Sequence, residues 1–376
     1  MPAGSRKDAG LDVRGQRVLY RLYPAEFSGA ELFSAELIAA TPGAVACCSS
    51  GTPVEALLRE RGLEVDPIPF RPLVRERPVR SAAHALGSAR DLRRVLARHP
   101  EAALVYGTSA RAGVQASLAA TGLGRTVVWG LWDPTPAGVA GAAVRAVARA
   151  RCDLAVACSG WTAGSFAGRS RVLRARTAVV HPGIRHERFA DTVVDPGAPR
   201  AVIAGSLIPE KRVDVAIEAA ALVRRAEPQF ELTVAGRPQY HERNRAHAAA
   251  LERRAGDGVT FAGHVDDVRD ALRGKGMLLH CRPDEPFATV LMEAMAAGLP
   301  VVTPASGGTP ELVRDGVDGL LYEPGSAAAA AAAVLRLTRD PRLAGRLGAS
   351  GRERVRAQFG LDAWLARHER VLRRVI

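Results

Sequence analysis

Lysine is nearly missing from this 376-residue chain: Lys7, Lys211 and Lys275 are just three of 52 basic residues. Arginine supplies the rest, alongside abundant alanine. That pairing reads as a high-GC coding bias, so many of the arginines carry no functional message while each lysine needs a reason. The five cysteines, Cys47, Cys48, Cys152, Cys158 and Cys281, are odd in number and contain no C-x-x-C pair. This argues against a disulfide framework or a zinc knuckle and leaves small buried core residues in a reducing compartment. No apolar run reaches the ~18–20 residues of a membrane span. The longest candidate, Ala327 to Val334, is nearly all alanine. The start, Met1 to Asp12, is polar and lacks an apolar signal region, so a cytoplasmic location is expected.

Several chemistries lack their signatures as well. No G-x-G-x-x-G follows a strand, and there is no G-x-x-x-x-G-K, H-E-x-x-H or G-x-S-x-G. No D-x-D pair offers itself as a metal bridge to a diphosphate.

Hydrophobic residues make up 47% and charged residues 24%, ordinary values for a globular protein. The length suggests about two or three domains. Apolar strand-like runs alternate with helical spacing. In the first half the strands are Gln16 to Tyr23, Ala44 to Cys47, Leu63 to Phe70, Ala103 to Tyr106, Thr126 to Trp129 and Leu154 to Cys158. The helices between them are Ala30 to Ala40, Pro53 to Arg61, Ser81 to Arg98, Arg111 to Ala120 and Gly138 to Arg149. A break at 181–198 contains His181-Pro182-Gly183 and Pro196-Gly197. A second set follows, with strands at Arg200 to Ala204, Phe230 to Ala235, Val259 to Phe261, Met277 to His280, Pro300 to Thr303 and Gly319 to Tyr322. Its helices are Val213 to Arg225, Ala248 to Ala255, Val268 to Arg273 and Val290 to Ala297, and the tail from Ser326 is helical. This alternation predicts an α/β protein of two doubly wound parallel-sheet halves. Ligands are then expected at the C-terminal ends of the strands, in the cleft between the halves.

The strongest chemical signal is Leu279 to Glu311. Glu285 lies in the loop after a strand, and Glu293 lies eight positions on, inside the next helix. The first N–H groups of that helix, near Ala288, Thr289 and Val290, lack helical partners and face a phosphate favourably. A carboxylate on either side suits hydroxyls rather than phosphate. Hydroxyl, phosphate, hydroxyl is the order of groups in a nucleotide sugar. On spacing alone, one surface glutamate and one capping glutamate explain the pair equally well.

Here the sequence resembles the family-4 retaining glycosyltransferases of GT-B fold, over nearly the whole chain. Glu285 and Glu293 match the E-x7-E motif, with an aromatic at Phe287. EAMAAGLPVV from Glu293, GGTPE from Gly307, SGAE from Ser28 and GSLIPEKR from Gly205 are also typical. The resemblance implies two Rossmann-like domains facing a central cleft. Residues 1–185, with 361–376 crossing back, would take the acceptor, and 199–360 would hold the donor. It implies Glu293 on the ribose, Glu285 on the donor sugar, and Lys211 on the leaving phosphate. It also implies donor contacts from Gly29, Gly205, Ser206, Arg212, Val265, Phe287 and the N–H groups of Ala288 to Val290. No cofactor or metal is expected, only a nucleotide-diphosphate sugar. The acceptor would be a small molecule or a lipid-linked glycan.

Two positions depart from the family pattern. Ser206 stands where arginine is usual, and Trp132, before Asp133, stands where histidine is usual. Arg212 is a candidate replacement charge. The departures keep two rivals open: a non-catalytic nucleotide-sugar-binding subunit and a GT-B nucleotide-sugar epimerase. The net charge of +13 is uneven. Residues 1–180 hold 24 Lys and Arg against 14 Asp and Glu, a net +10; the remainder holds 28 against 25, a net +3. Arg71, Arg75, Arg77, Arg80, Arg90, Arg93, Arg94 and Arg98 cluster on one helix and the loop before it. That cluster reads as a solvated face or as a peripheral contact with anionic membrane. No nucleic-acid motif accompanies it.

Overall fold

The computed structural model describes residues 11, 13, 15–23, 29–72, 78–239 and 242–376. The expectations for Lys7, Pro24, Ser28, Arg75, Arg77 and most of Met1 to Asp12 lie outside the described residues. The chain divides into two units, Met1–Pro182 with Asp362–Ile376, and Gly183–Leu361.

The first unit is built on β1 (Arg17–Arg21), β2 (Val45–Cys47), β3 (Glu64–Val65), β4 (Ala102–Gly107), β5 (Thr126–Leu131), β6 (Leu154–Ala157) and β7 (Thr177–Val179). They pair in parallel in the order β3-β2-β1-β4-β5-β6-β7. Helices cover both faces, so the central strands are apolar throughout: Val18, Leu19 and Tyr20 are all fully buried. Two expectations change here. The strand expected over Leu63 to Phe70 is only Glu64–Val65 plus one bridge from Ile68 to Ser49. Pro67 and Pro69 have no N–H to donate, and a sheet-edge position tolerates that loss. The sequence reading missed β7, a three-residue edge strand after the short helices Gly160–Ala167 and Arg171–Ala175. The chain's last helix, from Asp362 onward, packs in this unit, with Trp364 edge-on to Phe33 and His368 Nε2 3.1 Å from the Tyr106 hydroxyl.

The second unit holds β8 (Arg200–Ala204), β9 (Glu231–Ala235), β10 (Val259–Gly263), β11 (Met277–Leu279), β12 (Val301–Pro304) and β13 (Leu320–Tyr322). Their order is β10-β9-β8-β11-β12-β13, again all parallel. The order reverses between β8 and β11, which are hydrogen-bonded neighbours with Val202 opposite Leu278. Connections leave these two strands toward opposite flanks, and that switch point is where an open parallel sheet leaves a crevice at its strand ends. Helix Glu242–Arg254 begins earlier than the expected Ala248. Its first turns are charged and hide the apolar period, although Asn244 is buried there.

Candidate functional site

The second unit brings Lys211 and Glu285 together, although 74 positions separate them in the chain. Lys211 closes the single turn Pro209–Lys211 after β8, and Glu285 lies in the loop after β11. Adjacent strands at the switch point therefore place both side chains at one end of the sheet. Lys211 Nζ donates to Glu285 Oε2 at 2.9 Å. Glu285 is 6% exposed. Burial works to raise its pKa, but Lys211, His280 and Arg282 outweigh burial and hold the carboxyl well below its ordinary range.

The Glu285 loop is fixed from beneath by the segment Ser306 to Gly308. Ser306 Oγ donates to the Pro283 carbonyl at 2.5 Å, and Gly308 N donates to the Glu285 carbonyl at 2.8 Å. Gly307 has φ +64°, and a Cβ there would lie 2.5 Å from the Glu285 carbonyl oxygen. The first glycine of GGTPE is thus a close-approach requirement of the carboxylate's own loop.

Two participants escaped the sequence reading. His280 is buried, and its Nε2 lies 3.3 Å from Glu285 Oε2 without the alignment of a hydrogen bond. Burial lowers its pKa, Glu285 opposes that, and Lys211 adds to the lowering. Arg282 Nη1 stands 3.8 Å from Glu285 Oε1. The available signal was position: both residues follow β11 directly, within five places of Glu285.

Helix Thr289–Ala296 starts at Ala288 without a side-chain cap, so its first N–H groups lack the usual partner. Phe287 is turned into the core, its ring 5.7 Å from that of Phe359. Glu293 is half-buried on this helix. Burial pushes its carboxyl up to about 7; Arg188 opposes this and Asp267 adds to it. Asp267 is pinned by Arg269, Nε to Oδ2 at 2.9 Å.

Around β8, a small pocket is lined by Gly205, Ser206, Leu207, Lys211 and His280, among others. Ser206 Oγ accepts from Gln239 Nε2 at 3.4 Å. Arg212 has φ +51°, a left-handed conformation unusual for a side-chain-bearing residue. Its guanidinium forks onto Asp214, with Nε at 3.1 Å and Nη2 at 3.0 Å. The candidate replacement charge is therefore already held by a carboxylate. Val265 is partly exposed just beyond β10.

In the first unit, Gly29 opens helix Gly29–Ala39. Trp132 stacks on Phe33 with centroids 5.2 Å apart and an 11° tilt, and meets Trp364 edge-on at 6.4 Å. Asp133 beside it is exposed. The arginine cluster is largely tied up locally. Arg71 and Arg94 share Asp91, Arg98 binds Asp66, and Arg93 donates to the carbonyls of Ala119 and Thr121. Among the described residues, all five cysteines are buried and outside any disulfide, and no group of three His, Cys, Asp or Glu side chains is placed to hold a metal. Nor is any described helix long and apolar enough to cross a membrane.

The family of glycosyl transferases group 1 matches residues 184–354, the part that carries the Lys211–Glu285 pair. The chain is 32% identical over 204 residues to D-inositol 3-phosphate glycosyltransferase of Streptomyces bingchenggensis, covering 49% of this chain and 45% of that protein. It is 33% identical over 215 residues to GDP-mannose-dependent alpha-(1-6)-phosphatidylinositol monomannoside mannosyltransferase of Mycobacterium tuberculosis, covering 50% and 53%. The chain spans about half the length of the curated relatives it matches. Among solved structures, Anabaena Alr3699/HepE in complex with UDP and glucose superposes with a TM-score of 0.81 at 19% identity, over 95% of this chain and 99% of that one. This likeness shows the fold: two Rossmann-like parallel-sheet domains of the GT-B class.

Proposed function

We propose that the chain is a retaining glycosyltransferase that moves a sugar from a nucleotide-diphosphate sugar to an acceptor hydroxyl without a metal. The observation that carries this reading is the buried Lys211–Glu285 pair, set beside an uncapped helix start and eight residues before Glu293. The match to glycosyl transferases group 1 over the same residues supports it. So do the UDP and glucose named for Alr3699/HepE, on the same fold.

In this reading the N–H groups at Ala288 to Val290 and the Lys211 ammonium receive the diphosphate. Lys211 then divides its hydrogen bonds between Glu285 and the phosphate, and charge developing on the leaving group meets a cation already in place. Glu285, kept ionised by Lys211, His280 and Arg282, accepts from donor-sugar hydroxyls. Glu293 accepts from the ribose. Phe287 acts by packing behind the loop. Trp132 and Asp133 stand on the acceptor side, where Trp132 is partly exposed and has Phe33 stacked on one face. An acceptor that is a small molecule or a lipid-linked glycan fits the names of the curated relatives.

The test is transfer itself. Purified protein is incubated with UDP-, GDP- and ADP-sugars and a panel of acceptor alcohols, and products are followed by mass spectrometry and anomeric proton NMR. A glycoside with the donor's configuration is the expected product. An epimerised donor without acceptor consumption, or binding without any turnover, would replace this reading with one of its two rivals.

A further inference from the structure

One cavity in the first unit lies well outside the residues assigned above. It measures about 460 Å³ and is lined by Arg145, Arg149, Arg169 and Ser170, with Ala142 and Ala167 as its apolar wall. Arg145 and Arg149 are four residues apart on helix Gly138–Arg151, so their side chains share one face. Arg169 comes from the turn that joins helices Gly160–Ala167 and Arg171–Ala175.

Three guanidiniums in one cavity repel one another unless anions answer them. No lining residue is acidic, and among the described residues none of the three arginines has an ion-pair partner. Arg145 Nη1 is buried with no hydrogen-bond partner at all. A buried donor on a charged group costs stability unless something accepts from it.

Gly168, at φ +52°, lies against that guanidinium: a Cβ there would be 3.4 Å from Arg145 Nε. Arg174 Nη2 braces the Gly168 carbonyl at 3.0 Å and so fixes the turn that presents Arg169. Planar guanidiniums match phosphate oxygens in pairs, whereas a monocarboxylate would leave most of these donors unmet.

We propose that this cavity is a binding site for a compact polyanion carrying a phosphomonoester or diphosphate group. The ligand supplies the acceptors that Arg145, Arg149 and Arg169 lack. The same chemistry is offered by a soluble phosphorylated metabolite and by a phospholipid headgroup, and the experiment separates the two.

Inorganic pyrophosphate is titrated by calorimetry into the full chain and three variants: Arg149→Gln/Arg169→Gln, the charge-matched control Arg253→Gln/Arg254→Gln, and Lys211→Ala. Both double variants remove two exposed arginines, so each should fold. The proposal expects a pyrophosphate-binding component that weakens at least tenfold in the Arg149/Arg169 variant and persists in the other two. Flotation with phosphatidic-acid vesicles and with neutral vesicles runs in parallel. Capture on anionic vesicles that depends on Arg149 and Arg169 identifies a headgroup, and pyrophosphate binding without capture identifies a soluble ligand. The proposal is overturned if neither probe distinguishes the two double variants, or if only Lys211→Ala loses pyrophosphate.

Discussion

Replacing Lys211 with methionine keeps most of the apolar stem and removes the cation nearest a buried carboxylate. Glu285 would remain, 7% exposed at its side chain, with Arg282 at 3.8 Å and His280, whose pKa burial lowers, at 3.3 Å. Removing one partner of a buried pair costs roughly 3–5 kcal/mol. Lys211 is itself 24% exposed, and Arg282 remains, so the figure falls to about 2–3 kcal/mol. Amide hydrogen exchange read by mass spectrometry is the suitable assay, because it localises the loss. Peptides covering Met277–Leu279 and Thr289–Ala296 should lose protection by roughly 30–150-fold, while peptides of the first unit keep theirs. The effect has a defined pH dependence. Glu285 titrates below its ordinary range, so the pair's contribution is complete above about pH 4.5 and fades as pH falls further. Lys211 also depresses His280, so in the variant the histidine pKa should rise and its protonation should restore part of the protection in mild acid. Lys211→Met/Glu285→Gln should recover most of the loss, since no buried charge is then left unpaired. Unchanged protection in Lys211→Met, or a double variant worse than the single one, would refute this reasoning.

Three further outcomes follow from the same geometry. Gly307→Ala should destabilise the second unit by about 1–3 kcal/mol, because a positive φ and a 2.5 Å approach to the Glu285 carbonyl both oppose a methyl group; parent-like urea unfolding would show that this contact does not fix the loop. Glu293, raised to about 7 in the fold, binds its proton more tightly folded than unfolded, so ligand-free stability should fall as pH rises from about 4.5 to about 7. Glu293→Gln should flatten that slope, and an equal slope in the variant would locate the effect elsewhere. Sugar transfer should survive dialysis against EDTA, with Lys211 and the helix start meeting the leaving charge; a strict need for magnesium or manganese would contradict that.

The alternation of apolar runs and helical spacing sufficed to read both parallel sheets, because strands covered on both faces must be apolar at every position. Edge strands carry less of that signal, which is why β3 was overextended through two prolines and the three-residue β7 was missed. The Glu285–Glu293 spacing was visible in the chain. The partnership of Glu285 with Lys211 depends on β8 and β11 being neighbours across the sheet reversal, which no local pattern encodes. His280 read as the last residue of an apolar strand, and nothing nearby marked it as facing a carboxylate. Arg212 looked like a spare cation until its neighbour Asp214 was seen to hold it. The arginine-rich helix looked like a uniform positive face, whereas Asp66 and Asp91 pair with several of its members.

The central claim is that the Lys211, Glu285 and Glu293 site receives the nucleoside diphosphate part of a sugar donor. Isothermal titration calorimetry of UDP, GDP and ADP against the parent chain, Glu293→Ala and Lys211→Ala tests it most directly. The account predicts that at least one of the three binds the parent in a one-to-one complex. That complex should weaken by about 1.5–3 kcal/mol in Glu293→Ala, the loss of one charge-assisted hydrogen bond, with a smaller change in Lys211→Ala. Both variants binding like the parent, or no nucleoside diphosphate binding the parent at all, would contradict it.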